Sequence, residues 1–151
     1  MKVQCIFLLA WLSCSTFAND SYSIYLVRHA EKQSEQENPN LTSCGQLRAK
    51  QLAVILDNVD IKAIYSTSYQ RTLATATPTS QQKQLPIKHY SPRDLEQFAL
   101  SLKQLKMNAL VVGHSNTTPQ LTRLLSGEEV DDIDEKQYQM LYQVQFSAGD
   151  S

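Results

Sequence analysis

The stretch Tyr25-Leu26-Val27-Arg28-His29-Ala30-Glu31 decides how the rest of the chain is read, because an apolar run ends abruptly in an arginine and a histidine. Residues 23–27 have the hydrophobicity and β-branching of a buried strand, and the polar stretch 33–40 that follows reads as a loop. Arg28 and His29 then stand at a strand's carboxyl tip. In open α/β sheets ligands gather at such tips, so a guanidinium beside an imidazole there predicts an anion site. Most isolated Arg-His pairs are ordinary solvated surface, and support has to come from other strand ends.

Further along the chain the hydrophobic spacing alternates between two periods. Thr42 is placed to cap a helix over residues 46–56, in which Leu47, Ala49, Leu52, Ala53 and Leu56 recur at helical spacing. Residues 61–65 read as a second strand. Ser66-Thr67-Ser68 then forms a turn, and a helix starting near Tyr69 on a hydroxyl cap carries Arg71 in its first turn. Pro78 is expected to kink or end that helix, and the proline in residues 85–90 marks a short edge strand. Ser91-Pro92 reads as a cap followed by a first-turn proline, with Asp94 and Glu96 as acids favoured by the helix dipole. Leu95, Phe98, Leu102 and Leu105 form that helix's apolar face. Residues 109–112 are the most strand-like run and end at Gly113-His114. A helix from Thr118-Pro119 to Leu125, closed by Gly127, and a final antiparallel edge strand over 138–146 complete the pattern. Strands alternating with helices at this spacing predict an α/β fold, a three-layer α/β/α sandwich around a mainly parallel sheet.

Length and composition set the frame. A chain of 151 residues, 42% hydrophobic, is one domain with ample material for a core. Residues 1–18 carry Lys2, an apolar stretch at 3–12 and small or polar residues up to Ala18, the three regions of a secretory signal. Cleavage after Ala18 is expected, leaving residues 19–151 as an exported domain in the periplasm or outside the cell. No segment reaches the length of a membrane span. A lipid anchor at Cys14 is disfavoured because Trp11 stands three residues before it. Cys44 would remain as a single thiol, unable to form an internal disulfide and with no sign of thiolate chemistry. Removing the leader takes away Lys2 and no acid, moving the formal net charge from −1 to −2. With no basic stripe either, nucleic acid is an unfavoured partner.

Three strand ends thus deliver Arg28 and His29, then Arg71, then His114. Two guanidiniums, each a fork of N–H donors, match the nonbridging oxygens of a phosphoryl group, and two imidazoles can serve as nucleophile and donor. A two-histidine metal site is disfavoured because two arginines repel a cation and no ligand-spaced carboxylate or cysteine cluster accompanies them. His89 reads as a loop or edge histidine.

These residues carry a resemblance over nearly the whole mature chain. Leu26-Val27-Arg28-His29-Ala30-Glu31, Leu41-Thr42 with Gly45 and Arg48-Ala49, Ile64-Tyr65-Ser66 with Gln70-Arg71-Thr72 and Thr75-Ala76, and Val111-Val112-Gly113-His114-Ser115-Asn116-Thr117 resemble the histidine phosphatase superfamily. The likeness is to its short, minimal branch, with the phosphoglycerate-mutase-like fold. It implies a metal-independent, cofactor-free phosphomonoesterase in which His29 attacks phosphorus to form a phosphohistidine. Arg28, Arg71 and a protonated His114 would hold the oxygens of a phosphorylated small-molecule substrate, with Ser115, Asn116 and Thr42 as further phosphate contacts. Ser115 and Asn116 read equally well as turn formers, and Thr42 as a cap first.

The proton donor for the leaving group departs from part of that family. Its acid-phosphatase and phytase branch has an aspartate directly after the second histidine, where this chain has Ser115-Asn116. Glu31, Asp94 and Glu96 are the acids left as contenders. Two other readings stand beside the monoesterase: a phosphohistidine protein phosphatase, which an export signal argues against, and a non-catalytic phosphoanion-binding module of the same fold. A sugar-phosphate mutase is disfavoured for want of substrate-enclosing insertions.

Overall fold

The computed structural model describes residues 21–34 and 37–147, so the leader, its cleavage point and Cys14 lie outside the described residues. Among the described residues nine elements alternate: β1 (Tyr22–Arg28), α1 (Ser43–Ile55), β2 (Ala63–Ser66), α2 (Gln70–Lys83), β3 (Ile87–His89), α3 (Leu95–Leu105), β4 (Ala109–Gly113), α4 (Thr117–Ser126) and β5 (Leu141–Phe146). The sheet runs β3-β2-β4-β1-β5, with β5 antiparallel to β1 and every other pairing parallel. The expected sandwich with its antiparallel edge is therefore present.

Alternate residues of the central strands feed two cores. Ile24, Leu26, Ala109 and Val111 pack with Leu95, Ala99 and Leu102 of α3 and Leu121 and Leu125 of α4. Val27, Ile64, Leu110 and Val112 pack on the other face with Leu52 of α1, Leu56 just past its end, and Ala76 of α2. Both strands of the β1/β4 pair are buried on two sides, which is why their sequences are nearly all apolar. Among the described residues no helix is long and apolar enough to cross a membrane.

The sheet order separates the two chain exits that matter. From β1 the chain leads to α1 on one face, and from β4 it leads to α4 on the other. A crevice opens where such connections part, at the carboxyl ends of β1 and β4.

Several local expectations change in three dimensions. α2 runs through Pro78 to Lys83 instead of ending there, and its N-cap is Tyr69 with no hydroxyl capping bond. Ser91 does not cap α3: its Oγ accepts from the Arg93 N–H (3.3 Å) and its carbonyl from the Asp94 N–H (3.4 Å), so Ser91-Pro92-Arg93 is a turn and the helix starts at Leu95. Leu47 points outward, 60% exposed, while Ala49, Leu52, Ala53 and Leu56 are buried as read. Thr42 caps α1 as expected, accepting from the Gly45 N–H at 3.1 Å.

Candidate active site

Register brings the two histidines together. In the parallel β1/β4 pair Arg28 stands opposite Gly113, so the next residues, His29 and His114, emerge side by side. The ladder continues one step past the strand through His29 N–H to the Gly113 carbonyl (2.9 Å), and the two imidazole centroids are 5.6 Å apart. Gly113 is needed for close approach: a Cβ there would lie 2.8 Å from the Tyr90 hydroxyl and 3.0 Å from the hydroxyls of Thr117 and Thr118.

His29 is 3% exposed, and its Nδ1 lies 2.8 Å from the carbonyl of Ala30. A carbonyl only accepts, so Nδ1 carries the proton and Nε2 keeps its lone pair. The tip is fixed by neighbours: Ala30 N–H donates to Thr75 Oγ1 (3.0 Å), which itself donates to the Arg71 carbonyl (2.8 Å). This chain of bonds ties the His29 tip to the first turn of α2.

Burial lowers the His29 pKa to about 4, against the Ala30 bond that raises it, and the charges of Arg71 and Arg28 lower it further. His114 is lowered to about 4 as well, by burial and then by Arg71 and Arg28. Both imidazoles are therefore neutral near pH 7 in the free site. The expected protonated His114 is a property of the anion-bound site: without a bound anion, two guanidiniums and partial burial disfavour its charge. Its Nε2 lies 3.0 Å from Thr67 Oγ1, which is 2.9 Å from Thr72 Oγ1.

The two arginines are held differently. Arg28, 3% exposed, donates through Nη1 to the carbonyls of Asp134 (3.0 Å), Glu135 (2.9 Å) and Gln137 (3.1 Å), and through Nη2 to Glu135 Oε2 at 2.7 Å. Arg71 has no ion-pair partner among the described residues, and burial and the charge of Arg28 lower its pKa. Among the described residues, the buried Nε atoms of both arginines lack a hydrogen-bond partner. Unsatisfied buried donors of positive charge are what an anion would satisfy. Two tyrosines flank the site: Tyr138 packs on Arg28 at 4.2 Å, and Tyr69 packs on Arg71 at 4.4 Å with its ring 5.1 Å from that of His114.

The remaining expected residues divide. Ser115 reaches the site and donates to Glu135 Oε1 at 2.6 Å; Asn116 is the exposed N-cap of α4 and makes no side-chain capping bond. Thr42 is occupied with its cap and with a bond to the Glu31 carbonyl (3.3 Å). Glu31, expected as one acid contender, turns away from the imidazoles and pairs bidentately with Arg48, whose Nε lies 3.0 and 2.9 Å from its two oxygens and whose Nη2 lies 2.6 Å from Oε1. That pairing lowers its pKa and commits both carboxylate oxygens to Arg48. Asp94 and Glu96 are exposed at the start of α3, and no side-chain bond joins either to the four site residues. The carboxylate that does stand in the site, Glu135, was not singled out in sequence. It closes the acidic run Glu128-Glu129-Val130-Asp131-Asp132-Ile133-Asp134-Glu135, in which nothing distinguishes it from its neighbours. Among the described residues no group of three or more His, Cys, Asp or Glu is placed to hold a metal ion.

Comparison with known proteins follows the same lines. Residues 24–92 match the model of the histidine phosphatase superfamily (branch 1), a span that includes Arg28, His29 and Arg71 and stops short of His114. No curated protein matches the chain in sequence. Among solved structures, the protein histidine phosphatase SixA complexed with tungstate superposes with a TM-score of 0.67 at 18% identity, over 74% of this chain and 82% of that one. The α-ribazole phosphatase from Shigella flexneri gives 0.61 at 20% identity over 70% and 80%. The mycobacterial glucosyl-3-phosphoglycerate phosphatase gives 0.60 at 11% identity over 72% and 81%. Strand order and the paired histidines agree with the fold of these structures, and residues 24–92 carry the match to the histidine phosphatase superfamily.

Proposed function

We propose that the protein is a phosphomonoesterase that works through a phosphohistidine on His29, without a metal. The observation that carries this reading is the His29 ring itself. Its Nδ1 is committed to the Ala30 carbonyl, its Nε2 retains a lone pair, and burial with neighbouring charge keeps it unprotonated. Nε2 attacks phosphorus in line, the P–O bond to the leaving group breaks, and water then cleaves the P–N bond to release phosphate. Arg28 and Arg71 hold the nonbridging oxygens while charge redistributes. A bound dianion beside His114 favours its protonated form, so the ligand itself supplies the charge that the free site withholds.

The decisive experiment is turnover of an aryl phosphate by the mature protein and by His29→Ala, with a chelator in a parallel assay. Activity that falls at least about a thousandfold in the variant, together with a ³²P label trapped on histidine only in the parent, supports the reading. Near-parent activity in His29→Ala, or loss with the chelator, overturns it.

Export through the leader at residues 1–18 completes the proposal, supported by that segment's charged, apolar and small-residue regions. N-terminal sequencing of protein recovered from a periplasmic fraction is expected to begin at Asn19.

A further inference from the structure

Among the described residues Glu135 is the one carboxylate bonded directly to a site arginine, and its surroundings assign it more than an ion pair. Oε2 accepts from Arg28 Nη2 at 2.7 Å and Oε1 accepts from the Ser115 hydroxyl at 2.6 Å, while three backbone carbonyls of residues 134–137 anchor the turn to Arg28 Nη1. His29 is 3% exposed, whereas the Glu135 side chain is 75% exposed, so the two lie at the floor and the solvent rim of one site. In-line displacement puts the leaving oxygen on the side of phosphorus away from the nucleophile. With the nucleophile at the floor, that side is the rim.

We propose that Glu135 is the proton donor to the leaving group, the catalytic acid that Glu31, Asp94 and Glu96 are not placed to be. The inference rests on the phosphomonoesterase reading. In the free protein the Ser115 hydroxyl, and with it Arg28, holds the Glu135 carboxyl below its usual range. A bound phosphoryl group takes Arg28 and brings its own negative charge next to the carboxylate, and both changes favour the protonated acid. As the His29 Nε2–P bond forms and the P–O bond breaks, the Glu135 proton passes to the departing oxygen. The carboxylate left behind then takes a proton from the water that attacks the phosphohistidine, which restores the acid. Ser115 is the positioning residue that aims the carboxyl.

The test compares Glu135→Gln with the parent on 4-nitrophenyl phosphate, whose leaving group departs unprotonated, and on an alkyl phosphate, whose leaving group needs a proton. The expected result is a loss of about a hundredfold in kcat/KM on the alkyl ester with less than about a fivefold change on the aryl ester. Glu135→Asp should recover part of the alkyl activity. Equal losses on both esters, or no loss on either, overturn the assignment, and thermal melting of the variant shows whether equal losses come from misfolding. An inactive parent would instead sink the phosphomonoesterase reading itself, so the two failures are distinguishable.

Discussion

Two segments each set a glutamate on an arginine, and they do opposite things. After β1 the chain turns at Glu31, whose side chain pairs with Arg48 of α1 and whose carbonyl accepts from the Thr42 N–H at 2.9 Å. Ahead of β5 the turn 134–137 wraps Arg28 with three carbonyls and the Glu135 carboxylate. Glu31 lies two residues from the proposed nucleophile and fastens a loop to a helix. Glu135 lies 106 positions from His29 and shares its site. Nearness in sequence to a reactive group thus says little about which carboxylate faces it; the direction in which the backbone leaves the strand decides that.

The largest effect is expected of Arg28→Ala, because Arg28 serves both the proposed phosphate site and the 134–137 turn. We expect kcat/KM to fall about a thousandfold. The turn should also become cleavable by protease, which limited proteolysis would show. If activity falls and the turn stays protected, residues 134–137 do not depend on the arginine.

Acid titration separates the site from the rest of the protein. The folded pKa of His29 and His114 is about 4 against an ordinary 6.5, so below pH 6.5 the unfolded chain binds protons that the folded one does not. The stability these neutral imidazoles contribute is complete above 6.5 and is lost as the pH falls toward 4. For His29 alone the loss is on the order of 3 kcal/mol. Denaturant melts between pH 7 and 4 would measure it, and ring-proton NMR should place both titrations near 4. Arg71→Ala should move both upward, and midpoints unmoved by that change would contradict the electrostatic account.

Gly45→Ala probes the Glu31 side. A Cβ at residue 45 would stand 2.2 Å from the Glu31 carbonyl oxygen, a clash with backbone that no rotamer relieves. A loss of about 2 kcal/mol is expected in chemical denaturation. The smallest effect is that of Glu31→Gln. With Arg48 and Glu31 side chains 37% and 23% exposed, their pair is partly screened, and its loss should cost about 1 kcal/mol or less. Activity should change less than about threefold, alike on aryl and alkyl phosphates; a selective loss on the alkyl ester would return the acid to Glu31.

The apolar runs at residues 23–27 and 109–112 announced the two central strands, because a strand buried on both faces leaves an unbroken hydrophobic signature. Arg28, His29, Arg71 and His114 were legible for the same reason, each following or closely trailing such a run. Capping was less legible. Ser91-Pro92 has the composition of a helix start, yet it makes a turn, since local hydroxyl bonds serve either structure. Pro78 sits inside α2, where tertiary packing overrides the helix-breaking preference of a single residue.

By itself, then, the sequence determined the layers, the sheet's parallel character and the four residues at its carboxyl edge, because hydrophobic period and strand-end position are local properties. The tertiary structure alone decided that Arg28 and Gly113 share a register and so pair two histidines, that both imidazoles are neutral, and that Glu135 rather than Glu31 meets the site. Those outcomes depend on which backbone segments are brought side by side and on how much water is excluded between them, and neither is written in any stretch of adjacent residues.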